Sequence, residues 1–199
     1  FLQKDADENR SLVRWGIAAA VFSYVAYGLF DWFLFPDIAD RLVLTRVALG
    51  ITSLALVEFV ARRGFALATL HLVAALAIVS GALGWLVSAL GTEHQEALSH
   101  FMIFGTVFIL GANLFFNFRF WLSAIASATV AASFVCAALF FLQADIVGRI
   151  VLSAYFVNSL VLSLYLSWRL SLERYQTYLH ALRAQLQEQA AIRKGQKIT

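Results

Sequence analysis

Residues 146–186 read IVGRIVLSAYFVNSLVLSLYLSWRLSLERYQTYLHALRAQL. Up to Trp168 the stretch is apolar enough and long enough to cross a bilayer core, which takes about 20 residues in a helix. Beyond Trp168 it turns charged but keeps an apolar repeat. Leu172, Tyr175, Leu179, Leu182 and Leu186 are spaced 3, 4, 3 and 4 apart, the period of a coiled-coil seam. No Pro and no Gly occurs between Arg169 and Lys194. The expectation is one helix that leaves the membrane and continues into the cytoplasm. Two copies would leave the same membrane face, so the expected coil is parallel and the protein a homodimer.

The rest of the chain is of one kind with the first half of that stretch. It is 61% hydrophobic and 14% charged over 199 residues, with mean hydropathy +0.78. Ordinary soluble domains are about half apolar and a quarter charged. The excess falls in runs predicted at Trp15–Phe35, Leu42–Ala61, Ala66–Leu90, Ala97–Phe116, Phe120–Phe141 and Ile146–Trp168. The runs are apolar all round, whereas barrel strands would alternate. The predicted fold is all-α, a six-transmembrane-helix bundle with a C-terminal cytoplasmic coiled-coil helix. Residues 1–14 form a cytoplasmic N-terminal segment, 15–168 the bundle and 169–199 the signalling helix. Short loops make successive helices antiparallel neighbours.

Lys and Arg set the orientation. With the N-terminus inside, twelve fall on the inner side, among them Lys4, Arg10, Arg14, Arg62, Arg63 and Arg119. Only Arg41, Arg46 and Arg149 fall outside. The reading is a multi-pass inner-membrane protein with both termini cytoplasmic. Trp15, Trp32, Trp85, Trp121 and Trp168 lie near span ends and read as interfacial depth anchors. Small residues gather in the third span (Ser80, Gly81, Gly84, Ser88) and the fifth (Ser123, Ala124, Ser127, Ala128, Ala131, Ala132). They allow close backbone approach in lipid, and packing within the monomer is preferred to a dimer seam. The lone Cys136 reads as a small buried hydrophobe.

The outer loops collect Asp31, Asp37, Asp40, Glu93, His94, Glu96, His100 and Asp145. Carboxylates and imidazoles are ligands of divalent metals. Asp31, Glu93, His94, Glu96, His100 and Asp145 are therefore the candidate set for a metal ion or cationic ligand. The structural alternatives are ion pairs, Asp31 with Arg46 and Asp145 with Arg149. Asn113 and Asn158 are mid-depth polar groups that bond between helices or line a pocket. Phe101, Phe104, Phe108, Phe115 and Phe116 would suit the wall of a site for a hydrophobic small molecule.

Other chemistries fit poorly. His71 and His100 sit at opposite membrane depths, about 20 Å or more apart at 1.5 Å per residue, so they cannot share a haem. Lys4, Lys194 and Lys197 lie outside the spans, which disfavours a retinal Schiff base. Glu58 is the acid within a span, and a local pair with Arg62 and Arg63 is expected rather than a proton relay. No broken-helix signature, no phosphate loop and no catalytic constellation is legible, so this segment is not read as an enzyme. Nucleic acid is not expected as a partner.

The stretch Leu29-Phe30-Asp31-Trp32-Phe33-Leu34-Phe35-Pro36-Asp37, followed by Arg41 and Arg46, resembles the first hairpin of bacterial six-helix membrane sensor domains. These precede diguanylate cyclase domains and class III adenylate cyclases in membrane-bound nucleotide cyclases. The resemblance implies that Leu172, Tyr175, Leu179, Leu182 and Leu186 dimerise and align two catalytic domains. It also implies that outer acidic residues, here matched by Asp31, Glu93 and Asp145, hold a cation. The expected function is a membrane sensor and anchor regulating a cytoplasmic output domain. A nucleotide cyclase is expected, diguanylate slightly preferred over adenylate, and would lie beyond Thr199. The alternatives are the input domain of a histidine kinase and a stand-alone transporter or metal-handling protein.

Overall fold

A computed structural model of the protein describes the backbone of residues 2–114 and 120–196, and the side chains of residues 10–113, 120–173, 175–184, 186 and 187. Phe115, Phe116 and Arg119 fall outside the described residues, as do the side chains of Lys4, Lys194 and Lys197. The described chain is all helix. The elements are α1 (Leu2–Ala26), α2 (Gly28–Leu34), α3 (Ala39–Arg62), α4 (Leu67–Ala89), α5 (Gln95–Phe101), α6 (Gly105–Leu114), α7 (Phe120–Phe140) and α8 (Ile146–Gln196). A 3-10 turn, Met102–Phe104, joins α5 to α6. Pairing α1 with α2 and α5 with α6 leaves six helical spans long and apolar enough to cross a membrane. The protein is a multi-pass membrane bundle. Helices are the natural solution, because they satisfy every backbone polar group inside hydrocarbon.

The turns follow from local chemistry. Pro36 disfavours helical backbone at the residue before it. Phe35 accordingly leaves the helical region at φ −135°, ψ 59°, and α2 stops. Gly64 takes φ +70° after α3, a left-handed conformation open to glycine without a Cβ clash. Arg10 on α1 then donates to the Phe65 carbonyl at 2.8 Å, tying the α3–α4 turn to the first helix. At the same face Glu58 accepts from Arg62 at 2.6 Å and from Arg14 at 2.9 and 2.8 Å. The local pair expected there forms with Arg62. Arg63 instead lies over the Phe59 ring, 5.5 Å from its centroid.

Helices α4 and α7 are the most buried spans. Both carry the small residues noted in the sequence, and Ala74, Ala82, Ser127, Ala131 and Ala138 are buried. The core continues as a chain of aromatic contacts. Phe35 meets Phe101 edge-on at 5.9 Å, Phe101 meets Trp85 at 5.7 Å, Trp85 stacks on Phe134 at 6.2 Å, and Phe134 meets Phe156 of α8 at 5.1 Å.

Two sequence expectations need correction. Trp15, Trp32, Trp121 and Trp168 are outward, but Trp85 is 3% exposed and is a core residue rather than an interfacial anchor. Its large ring fills the space between α4 and α7 where small neighbours leave room. Cys136 is exposed on the outer surface of α7, not buried.

A close approach within the bundle lies at Gly105. A methyl group there would overlap the ring of Phe134, which is fully buried. Gly105→Ala is expected to cost about 1–3 kcal/mol by overpacking, read as a lowered unfolding midpoint in detergent. An unchanged midpoint would show that the ring can swing aside.

Candidate functional site

Arg46 is the cation of α3 that the bundle buries. Its Nε donates to Asp31 Oδ2 at 2.6 Å and its Nη2 to Asp31 Oδ1 at 3.0 Å. The side chains are 5% and 0% exposed. This two-pronged geometry suits guanidinium and carboxylate. Nη1 adds a bond of 3.0 Å to the Tyr24 carbonyl, next to the break between α1 and α2. The guanidinium also lies 4.8 Å from the centroid of the Tyr24 ring. Gly28, at the start of α2, leaves room for the stem of Arg46; a Cβ there would sit 3.4 Å from Arg46 Cδ.

Two spans are therefore interrupted, the first at Tyr27 and the fourth at Met102–Phe104. The sequence shows neither break, since no Pro or Gly pair marks them. The interruptions meet in space, with the rings of Tyr27 and Phe104 6.0 Å apart. Beside them opens a cavity of about 440 Å³ walled by α1, α3, α4 and α6. It exists because Gly16, Ala20, Gly50, Ala77, Gly81 and Gly111 present little volume where these helices meet. Phe101, Phe104 and Phe108 line it, as the sequence suggested for an aromatic wall. Tyr24 and Arg46 are among its polar points, with Ser23, Tyr27 and Ser53. The Tyr24 hydroxyl donates to the Gly81 carbonyl at 2.9 Å, and its ring packs edge-on against Phe108 at 5.8 Å. Asp31 balances the charge of Arg46, so the cavity offers hydrogen-bonding capacity without net charge.

The outer-loop candidates separate. Glu93, His94, Glu96 and His100 line one shallow depression with Gln143. Asp31 is committed to Arg46. Asp145 caps α8, its Oδ1 accepting the Gly148 N–H at 3.3 Å. Arg149 does not pair with Asp145. It donates to the carbonyl of Ala144 in the α7–α8 connection at 2.9 Å and to that of Leu139, in the last turn of α7 where carbonyls lack helical partners, at 3.3 Å. His100 Nδ1 bonds the Glu96 carbonyl at 2.9 Å, so these two share one helix turn. Among the described residues no three His, Cys, Asp or Glu side chains form a group that could hold a metal ion.

The residue that organises this face is Asp37. It accepts from the Thr92 hydroxyl at 2.9 Å, the Glu93 N–H at 2.7 Å and His94 Nδ1 at 3.1 Å. Burial pushes its carboxyl up, but the Glu93 N–H and then the Thr92 hydroxyl outweigh burial and hold it below the ordinary 3.8. Asp37 thus clasps the loop after α2 to the loop after α4. Its place among the outer acids was legible, but not its partners, which lie 55 to 57 residues away.

The mid-depth amides also separate, and neither lines the cavity. Asn113 Nδ2 donates to the hydroxyls of Ser127 at 2.5 Å and Ser163 at 2.6 Å, joining α6, α7 and α8. Both hydroxyls also donate to the Ile109 carbonyl. Asn158 points outward from α8. No known protein family, curated protein or solved structure matches the chain.

Removing one partner of a buried ion pair leaves an uncompensated charge and costs about 3–5 kcal/mol. Asp31→Asn and Arg46→Met are each expected to show that loss in detergent unfolding, and Asp31→Leu with Arg46→Met together to recover most of it. Equal losses from single and double changes would refute the pairing. For Asp37 the folded value is depressed, so its contribution is present above about pH 4 and lost as pH falls through the folded value. The gap in unfolding midpoint between wild type and Asp37→Ala should therefore shrink on acidification below the ordinary 3.8.

Proposed function

We propose that the chain is the membrane sensor and anchor of a signalling protein, dimeric, with both termini cytoplasmic in an inner membrane. It regulates a cytoplasmic output domain, a nucleotide cyclase, with diguanylate chemistry preferred over adenylate. The observation that carries this reading is α8. It is one uninterrupted helix of 51 residues, and the apolar repeat of its second half leaves the bundle without a partner within the monomer. Leu172, Tyr175, Leu182 and Leu186 are all outward, and Leu179 is half-buried. A rigid rod rooted in a bundle and carrying a seam is suited to passing rotation or register to domains beyond it. The distribution of Lys and Arg supports the orientation.

The signal in this reading is a hydrophobic small molecule held in the cavity. The volume lies in the range of small-molecule sites, about 300–1,000 Å³. A ligand shifts an equilibrium only through different affinity for two arrangements. Trp85 and Phe101 touch both the cavity and the aromatic chain that ends at Phe156 on α8. A repacking of that chain is the route by which occupancy would reach the exit helix.

A second reading draws on the paired interruptions. Discontinuous spans meeting beside a cavity are a feature of transporters. Uptake by vesicles holding the chain, with no nucleotide product, would favour it.

The deciding assay takes the natural protein in lipid, with GTP and with ATP. Formation of cyclic di-GMP or cyclic AMP is expected, and turnover of neither would sink the cyclase reading. Leu179→Glu with Leu182→Glu is expected to abolish both the dimer and regulation. Unchanged sedimentation of that double variant would refute the coil.

A further inference from the structure

Counting back from Leu172 in the same alternation of 4 and 3 residues gives Trp168, Tyr165, Val161, Asn158, Ala154, Val151 and Val147. The tail seam therefore continues in phase through the whole membrane span. Every one of these positions faces away from the bundle. Val147 and Val151 are each 62% exposed, Val161 60% and Tyr165 53%; Ala154 and Asn158 are exposed as well. The opposite face of α8 is the one the bundle uses. Leu152, Phe156, Ser163 and Ser167 are buried there, and Ser163 is held by the Asn113 amide. The helix has two separate faces along one length, one docked and one open.

Asn158 gives the open face its meaning. It lies 12 residues from the start of the span at Ile146 and 10 from Trp168, at mid-depth in the hydrocarbon. Its side chain has no partner among the described residues. Lipid offers an amide nothing to bond, and water is absent at that depth. In the seam phase Asn158 occupies an a position. In a parallel two-stranded coil, residues at a meet their own counterparts at the same level. An amide is both donor and acceptor, so two copies of Asn158 satisfy each other.

We propose that a second copy of this chain packs on this face, α8 against α8. The dimer seam begins within the membrane at Val147, and Asn158 bonds its counterpart across the two-fold axis. A slip of one heptad would set Asn158 against Val151 or Tyr165 and leave amides unpaired. Asn158 thereby fixes the register in which the tail leaves the membrane. The dimer stands without the sensor reading; only the delivery of that register to an output domain rests on it. Neither a lipid contact nor an apolar partner helix would satisfy the amide.

The test is disulfide crosslinking of the whole chain in lipid vesicles. Against a Cys136→Ala background, single cysteines replace Val151 and Tyr165 in the span, Leu182 in the tail and Leu44 on the outward face of α3. Oxidation is expected to link Val151→Cys, Tyr165→Cys and Leu182→Cys, and to leave Leu44→Cys monomeric. Linkage at Leu182→Cys alone overturns the intramembrane seam while the tail dimer survives. Linkage of the unsubstituted chain through its native Cys136, with none at Val151→Cys, moves the interface to α7 and overturns the proposal. No linkage anywhere removes the dimer and with it the coiled-coil reading. Asn158→Leu, on an outward face where folding is not at stake, is expected to weaken the dimer about threefold to tenfold on dilution in lipid. An undiminished dimer in that variant overturns the pairing of Asn158.

Discussion

A polar group inside hydrocarbon has no water to turn to, and this constraint accounts for the structure wherever it departs from plain helices in lipid. Arg46 is the clearest case. Its guanidinium is matched by the two oxygens of Asp31 and by the Tyr24 carbonyl. The desolvation of both ions is offset only because the geometry is two-pronged and a third bond is made. The amide nitrogen of Asn113 obeys the same rule with weaker groups, gathering two serine hydroxyls from two other helices, while its Oδ1 is buried without a partner.

These two clusters divide the work of the bundle. The ion pair holds the first span to the second at the point where α1 gives way to α2. A guanidinium that takes a main-chain carbonyl supports a break that would otherwise leave the carbonyl bare. The break, together with the 3-10 turn of the fourth span, lets the helices part around a cavity while their ends remain packed. The Asn113 cluster does the reverse, drawing α6, α7 and α8 together at depth. One side of the bundle is thus open enough to admit a molecule, and the other is tied.

Helix α8 belongs to the tied side by one face and to the surroundings by the other. That arrangement suits a part that must respond to the bundle and also engage a partner. The aromatic chain from Phe35 to Phe156 runs from the turn after α2, past the cavity, to the docked face of this helix. Closely packed rings have few alternative arrangements, so displacement at one end is not absorbed locally. Proximity alone does not make a pathway; the physical content is that Trp85 lines the cavity and stacks on Phe134, which in turn meets Phe156 of α8.

Much of the architecture was legible in the chain itself. Hydropathy and run length determine six spans, because lipid demands about 20 apolar residues at each crossing. The absence of Gly and Pro between Arg169 and Lys194 lets α8 run on. The small residues of α4 and α7 foretell their central place. The pairing of Asp31 with Arg46 stood as one of two readings, and the structure shows the pair formed and buried. Distance in sequence concealed the rest. Nothing local in Asp37 reveals Thr92 and His94. Nothing in Trp85 distinguishes a core ring from an interfacial one. The breaks at Tyr27 and Met102 arise from contacts that span different helices. Asn113 and Asn158 are the same residue at similar depth, and the sequence treats them alike. Only packing turns one inward to Ser127 and Ser163 and the other outward, because the face a helical residue presents is decided by which neighbours its helix meets.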